Sequence, residues 1–227
     1  MSGREFSKTD APARAGALTD NSHVAASYAR WAPVYDLAFA LVMRPGRRAA
    51  AAAASRPGGR VLDVGVGTGL ELPMFDRATR LVGVDLSEPM LARARARVRA
   101  ERLANVEGLL VMDATRLAFP DASFDAAVAP YVLTVVPDPH AMLDEIWRVT
   151  KPGGELVLVN HFGADSGPLA LIERQLGKRS AQLGWKPEFP WETLGGWIAN
   201  RPGARLVERR PLAPFGLFVL ARVRKEG

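Results

Sequence analysis

The chain has 227 residues, enough for one α/β domain, and with 48% hydrophobic residues it is too apolar for wholesale disorder. It has no cysteine, which excludes disulfides, thiolate zinc sites, iron–sulfur clusters and any reaction needing a nucleophilic thiol. A net charge of +6 and a pI near 10.1 favour anionic partners such as nucleic acid, anionic lipid or phosphate-bearing substrates.

Residues 1–20 are small, polar and charged without periodicity, and are expected to be disordered. No run approaches the ~18–20 apolar residues of a membrane span, and no hydrophobic leader core is present, so a cytoplasmic protein is expected. A single domain is expected over 21–227, opening with helical cover over 21–55. Tyr28, Trp31 and Tyr35 share one helical face, with a kink expected at Pro33. Val34 to Met43 is apolar except for Asp36, and Arg44, Arg47 and Arg48 follow. That pattern suits either a membrane interface or a helix packed on a sheet with its basic end in water. The alanine run after Arg48 is helical by propensity.

Arg60 to Val64 reads as a short buried strand running into the turn Gly65-Val66-Gly67-Thr68-Gly69. The three glycines let backbone approach a ligand closely. A dinucleotide fingerprint would need its third glycine at position 70, which is Leu70. Asp63, two residues before the first glycine, would repel a pyrophosphate but welcome a ligand with a positive amino-acid end. Leu81 to Asp85 is a second buried strand, closed by an acid placed where doubly wound folds engage ribose hydroxyls.

A short helix is expected over Glu71–Phe75 and a longer one over Glu88–Glu101. The longer helix turns Leu91, Ala94 and Val98 inward and keeps arginines 93, 95, 97 and 99 solvated. Strands follow at Val106–Met112 and Phe124–Ala129, then a helix over Pro139–Val149. The turn Lys151-Pro152-Gly153-Gly154 launches a strand over Glu155–Val159. Residues 161–200 break the strand–helix alternation and read as an insertion on the substrate side. Within it, Leu169–Leu183 is an amphipathic helix and Gly184–Trp191 an aromatic, proline-stiffened loop. Ala204–Arg209 and Phe215–Val223 close the chain as an antiparallel hairpin at the sheet's edge. Alternating β and α units imply a parallel sheet.

Asp63, the G-x-G-x-G turn and Asp85 together resemble the S-adenosylmethionine site of class I methyltransferases. The resemblance implies a Rossmann-like, mostly parallel seven-stranded sheet with helices on both faces. It also implies S-adenosyl-L-methionine as cofactor, S-adenosyl-L-homocysteine as product, and no metal. Asp63 would hold the cofactor's amino-acid portion, with backbone amides from Gly65, Gly67 and Gly69, and Asp85 would pair with the ribose. Asp113 would meet the adenine amino group beside an Ala114 amide. Met90 would pack on the adenine or merely fill the core. Tyr28, Tyr35, Leu86 and Pro130 complete the implied cofactor contacts, and Tyr131 would sit beside the sulfonium methyl. The segment Ala129-Pro130-Tyr131 lacks the Asn/Asp-Pro-Pro-Tyr of base-methylating enzymes, so no nucleic-acid substrate is expected.

Further segments narrow the likeness. Tyr28-x-x-Trp31-Ala32-x-x-Tyr35-Asp36, Ser87-Glu88-Pro89-Met90, Val159-Asn160-His161 and Gly184-Trp185-Lys186-Pro187-Glu188-Phe189 resemble the small bacterial phosphatidylethanolamine N-methyltransferases. That implies phosphatidylethanolamine and its methylated forms as substrates, and a monomer resting on the anionic inner face of the cytoplasmic membrane. Tyr35 and Tyr131 would line a dry, cation-holding pocket. His161 would accept a proton or contact phosphate, or simply end its strand. Arg44, Arg47, Lys178, Arg179 and Lys186 are the candidate phosphate ligands. The alternatives are a small-molecule or quinone C/O-methyltransferase and a non-catalytic cofactor-binding protein.

Overall fold

The computed structural model describes residues 41–162, 189–214 and 216–227. Expectations for residues 1–40, the 169–183 helix and most of the 184–191 loop lie outside these residues, as do Tyr28, Trp31 and Tyr35. Residues 41–54 form helix α1. The chain then runs β1 (Arg60–Val64), a 3-10 turn (Leu72–Met74), β2 (Arg80–Asp85), α2 (Glu88–Ala100), β3 (Val106–Val111) and β4 (Phe124–Pro130). It continues with α3 (Pro139–Val149), β5 (Thr150–Asn160), α4 (Trp191–Asn200), β6 (Ala204–Leu212) and β7 (Phe218–Lys225).

The seven strands form one sheet in the order β3-β2-β1-β4-β5-β7-β6. The pairs β1–β2, β1–β4, β2–β3 and β4–β5 are parallel, whereas β7 pairs antiparallel with both β5 and β6. The chain builds outward from β1 to β3, then crosses back to lay β4 on the other side of β1. The crevice at the carboxyl ends of β1 and β4 is therefore the switch point where open α/β sheets bind ligands.

Two apolar layers cover the sheet, and side-chain alternation assigns each strand residue to one of them. Leu62, Val82, Leu156 and Val223 pack with Met142, Leu143 and Ile146 of α3 and with Leu194 and Trp197 of α4. Val61, Leu81, Val128 and Val157 pack on the opposite face with Leu91 and Ala94 of α2 and with Ala50, Ala51, Ala53 and Ala54 of α1. The small alanines let α1 lie close to the strands. Asp63 follows Leu62 in β1 and by alternation faces the α1–α2 layer.

Local rules account for the helix ends. Asp138 caps α3 by accepting a hydrogen bond from the Ala141 amide at 3.0 Å, with proline in the first turn. On α2, Leu91 and Ala94 are buried and Val98 packs on the core. Arg95 pairs with Glu88, and Arg97 with Glu101 at 2.8 Å.

Three boundaries differ from those read in the sequence. β5 begins at Thr150, which pairs with Phe124, and residues 151–154 bulge out before Glu155 pairs with Ala126. The expected turn is thus an interruption within one strand. Trp191–Asn200 is a helix, because Leu194 and Trp197 bury against α3, with Trp197 donating to Asp144 at 2.7 Å. The first hairpin strand runs on to Leu212, and the second begins at Phe218 and runs to Lys225, as far as their mutual pairing carries them.

Candidate functional site

At the β1/β4 switch point lies a cavity of about 400 Å³, within the range of small-molecule sites. Gly65, Gly67, Asp85, Leu86, Asp113, Ala114, Pro130 and Tyr131 line it, as do Arg47, Glu71, Met112, Val132 and Val135.

The glycine turn forms one wall. Gly65, Gly67 and Gly69 all have φ between 53° and 72°, a region costly for residues with a Cβ. A Cβ on Gly65 would strike the Val132 side chain, whereas one on Gly67 would come no nearer than 3.9 Å to other atoms. Gly69 serves packing instead: its Cβ would stand 2.8 Å from Leu72 and 3.1 Å from Ala94 on α2.

The Asp85 carboxylate accepts 2.8 Å hydrogen bonds from the Gly67 and Ser87 amides, which fix it between the turn and α2. Two amide donors leave further lone pairs for a ligand's hydroxyls. Asp113 accepts 2.8 Å bonds from the Thr115 amide and hydroxyl, which hold its carboxyl below the usual range.

Tyr131 closes the wall beyond β4 with φ +66°, an uncommon backbone for a bulky residue. Its amide donates to the Val159 carbonyl at 2.6 Å and its hydroxyl to the Met43 carbonyl of α1 at 2.9 Å. The ring meets Phe218 edge-on at 4.9 Å, and the Arg47 guanidinium lies 5.7 Å from its centre. Burial pushes the hydroxyl pKa up, so the phenol is neutral at physiological pH.

Arg47 also pairs with Glu71, Nε to Oε2 at 3.4 Å. Glu71 is 5% exposed, and burial raises its pKa to about 7 despite the Arg47 charge. Behind it, Asp63 is fully buried, and its carboxyl touches the Glu71 carboxyl and no other hydrogen-bonding group. Burial and the adjacent Glu71 push the Asp63 carboxyl well above the usual range.

Most sequence-predicted residues therefore converge on one cavity, but Asp63, Gly69, Met90 and His161 are not among its lining residues. Met90 is half-exposed on α2. His161 is buried just beyond β5 with Nδ1 2.6 Å from the Leu217 carbonyl, so Nδ1 carries the hydrogen in that bond. Glu71 entered the sequence reading only as the start of a short helix, and Arg47 only as a phosphate ligand. The available signal was a carboxylate set between Leu70 and Leu72 just past the glycine turn.

A family model described as "Methyltransferase domain" matches residues 62–158. A phosphatidylethanolamine N-methyltransferase of Cereibacter sphaeroides is 44% identical over 89% of this chain and 97% of its own. The chain belongs to the S-adenosylmethionine-dependent methyltransferase family. A demethylmenaquinone methyltransferase of Thermus thermophilus is 36% identical over 76% of this chain and 77% of its own. Among solved structures, an S-adenosylmethionine-dependent methyltransferase of Thermotoga maritima, described as a possible histamine N-methyltransferase, superposes with a TM-score of 0.64 at 25% identity. That match covers 90% of this chain and 99% of the other.

The residues of this methyltransferase fit its cofactor. The fixed Asp85 carboxylate suits ribose hydroxyls, and the open approach over Gly67 suits a ligand lying on backbone. The buried Glu71 carboxyl in the wall, backed by Asp63, marks an end of the cavity suited to positive charge. S-Adenosylmethionine supplies an electrophilic methyl group on a sulfonium.

Proposed function

We propose that this methyltransferase acts on the amine of phosphatidylethanolamine and on its mono- and dimethyl forms, toward phosphatidylcholine. The observation that carries the reading is the 44% identity extending over 97% of a phosphatidylethanolamine N-methyltransferase. The chemistry is consistent with it. A primary amine with a pKa near 10.4 is neutral in fewer than about one molecule in a thousand at pH 7, and only the neutral form has a lone pair. Desolvation beside the neutral Tyr131 ring lowers that pKa, and the ring face then holds the methylated cation.

The cavity's rim suits an acceptor that arrives in a lipid surface. Leu86 and Val135, both lining the cavity, are each 73% exposed. Among the described residues no helix is long and apolar enough to cross a membrane. The reading therefore places the protein peripherally on an anionic surface, acting as a monomer. Residues 21–55 and 161–200 of the single domain, 21–227, are proposed to serve as its lipid-side cover. Asp63, Gly69, Met90, Tyr28 and Tyr35 remain proposed cofactor contacts, with Tyr35, Tyr131 and His161 as the proposed acceptor-side residues.

The 36% likeness to demethylmenaquinone methyltransferases supports a quinone acceptor as the second reading. Release of S-adenosylhomocysteine separates them when vesicles of phosphatidylethanolamine and phosphatidylglycerol are compared with a detergent-solubilised demethylmenaquinol. The ethanolamine vesicles are expected to drive turnover at least ~10-fold faster. A reversed preference would overturn the lipid reading.

A further inference from the structure

Glu71 lies in the cavity wall, Arg47 holds it from α1, and Asp63 stands behind it with a carboxyl whose only hydrogen-bond contact is the Glu71 carboxyl. Two buried carboxyls share one directly paired guanidinium, Arg47, since Arg97 is engaged with Glu101, so ionising both leaves negative charge poorly compensated in a dry site. We infer that Glu71 is the receptor for the cofactor's α-ammonium, that Arg47 takes its α-carboxylate, and that cofactor binding is coupled to release of a proton from the Glu71–Asp63 pair. Asp63 then acts as a positioning residue that orients Glu71 from behind. The inference rests on the cofactor and not on the lipid acceptor.

The charges around the pair favour this assignment. Glu71 is faced by Arg47 from α1, Asp63 from β1 and Arg97 from α2, while Asp85 from β2 adds to the negative field at Asp63. Arg97 is itself engaged with the Thr68 carbonyl and Glu101. Burial raises the Glu71 pKa to about 7 and pushes the Asp63 carboxyl well above the usual carboxylate range, so the ligand-free pair holds a proton readily around neutral pH. An arriving ammonium supplies the missing positive charge and favours the ionised form. Arg47 pairs at 3.4 Å, a loose ion pair on the scale of charge-assisted bonds near 2.7–2.9 Å, and its guanidinium fork suits bidentate capture of a carboxylate.

The sign of the pH dependence follows. Below the ligand-free pKa, binding must expel a proton, so affinity falls with falling pH, and above it affinity levels off. For one proton leaving a group near pH 7, affinity for S-adenosylhomocysteine should drop about 20-fold between pH 7.5 and pH 5.5.

Isothermal titration of the full chain with S-adenosylhomocysteine, in two buffers of different ionisation heat at pH 6.5, measures the released proton directly. Net release is expected for the wild type, and none for Glu71→Gln, whose affinity should be weak and flat with pH. Arg47→Gln should move the affinity midpoint to higher pH, because the guanidinium no longer favours the carboxylate. 5′-Methylthioadenosine, which lacks the amino-acid end, should bind without proton release in every variant. Wild-type binding of S-adenosylhomocysteine with no proton exchange and no pH dependence would overturn the inference, as would unchanged proton release in Glu71→Gln. Neither result touches the acceptor, since no lipid is present.

Discussion

Asp85 is held at both carboxylate oxygens, which accept from the Gly67 and Ser87 amides. Replacing it with alanine removes both the ligand contact and the clasp on the glycine turn. Charge-assisted hydrogen bonds contribute about 1.5–3 kcal/mol each, so Asp85→Ala should weaken S-adenosylhomocysteine binding by roughly 10- to 100-fold in a calorimetric titration. Unchanged affinity would refute its role. Gly46 on α1 offers a second test at the same scale. A Cβ there would collide with the Tyr131 hydroxyl and stand 3.1 Å from Val159. Gly46→Ala should destabilise the fold by about 1–3 kcal/mol and displace the ring. Tyr131→Phe should lose about 1 kcal/mol with its bond to the Met43 carbonyl. Because both changes act on one contact, the double variant should cost less than the sum in denaturant unfolding, and strict additivity would contradict the coupling. The acids at 63 and 85 and the glycines between them were readable because each ends or follows an apolar strand. Glu71 was not, because its partners Arg47 and Asp63 meet it only through packing of α1 onto the sheet.

At the scale of elements, short and mostly apolar strands such as β1, β2 and β4 were legible to within one residue at each end. Helix α3 was too, since Asp138 caps it and Met142, Leu143 and Ile146 mark its buried face. α4 was not legible: only residues 184–191 were read, as a loop, because Pro190 precedes the helix and Gly195 and Gly196 lie within it. What makes it helical is tertiary: Trp197 stacks edge-on against Trp147 at 5.6 Å and bonds Asp144. The bulge over 151–154 was hidden for the same reason, since only the pairing of Thr150 with Phe124 shows that the strand has already begun. On the antiparallel side, Glu155 is buried with Arg222 at 2.6 Å and Arg224 at 2.7 Å, tying β5 to β7. Burial alone would raise its pKa, but the two guanidiniums outweigh burial and hold the carboxyl below its ordinary value. Its stabilisation is therefore present above the unfolded-state pKa and lost as pH falls through the lower folded value. Glu155→Ala leaves the arginines facing an uncompensated site and should cost about 3 kcal/mol in urea unfolding at pH 7. The gap between wild type and variant should narrow as pH drops from about 5 to 3, and a constant gap would show that the ion pairs contribute nothing.

For the whole molecule, position along the sheet sets function: the cavity opens at the carboxyl ends of β1 and β4, with α1 joined to it through Arg47 and Tyr131. On the proposed reading, a net charge of +6 would supply attraction to an anionic lipid surface. Exposed charges are screened beyond ~8 Å at physiological ionic strength, so vesicle sedimentation should fall steeply as salt is added. Salt-insensitive association would point to apolar insertion instead. Removing residues 1–40 should weaken vesicle binding more than S-adenosylhomocysteine binding, and equal losses would assign that segment a structural role. Net charge and the glycine turn were plain in the sequence, whereas the joining of α1 to the cavity appears only once the sheet is assembled. The most direct test of the central claim, methyl transfer from this cavity to lipid ethanolamine, is mass spectrometry of vesicle lipids incubated with the protein and methyl-deuterated S-adenosylmethionine. Successive gains of one, two and three labelled methyl groups on phosphatidylethanolamine are expected. Unmodified lipid in the presence of bound cofactor would contradict it.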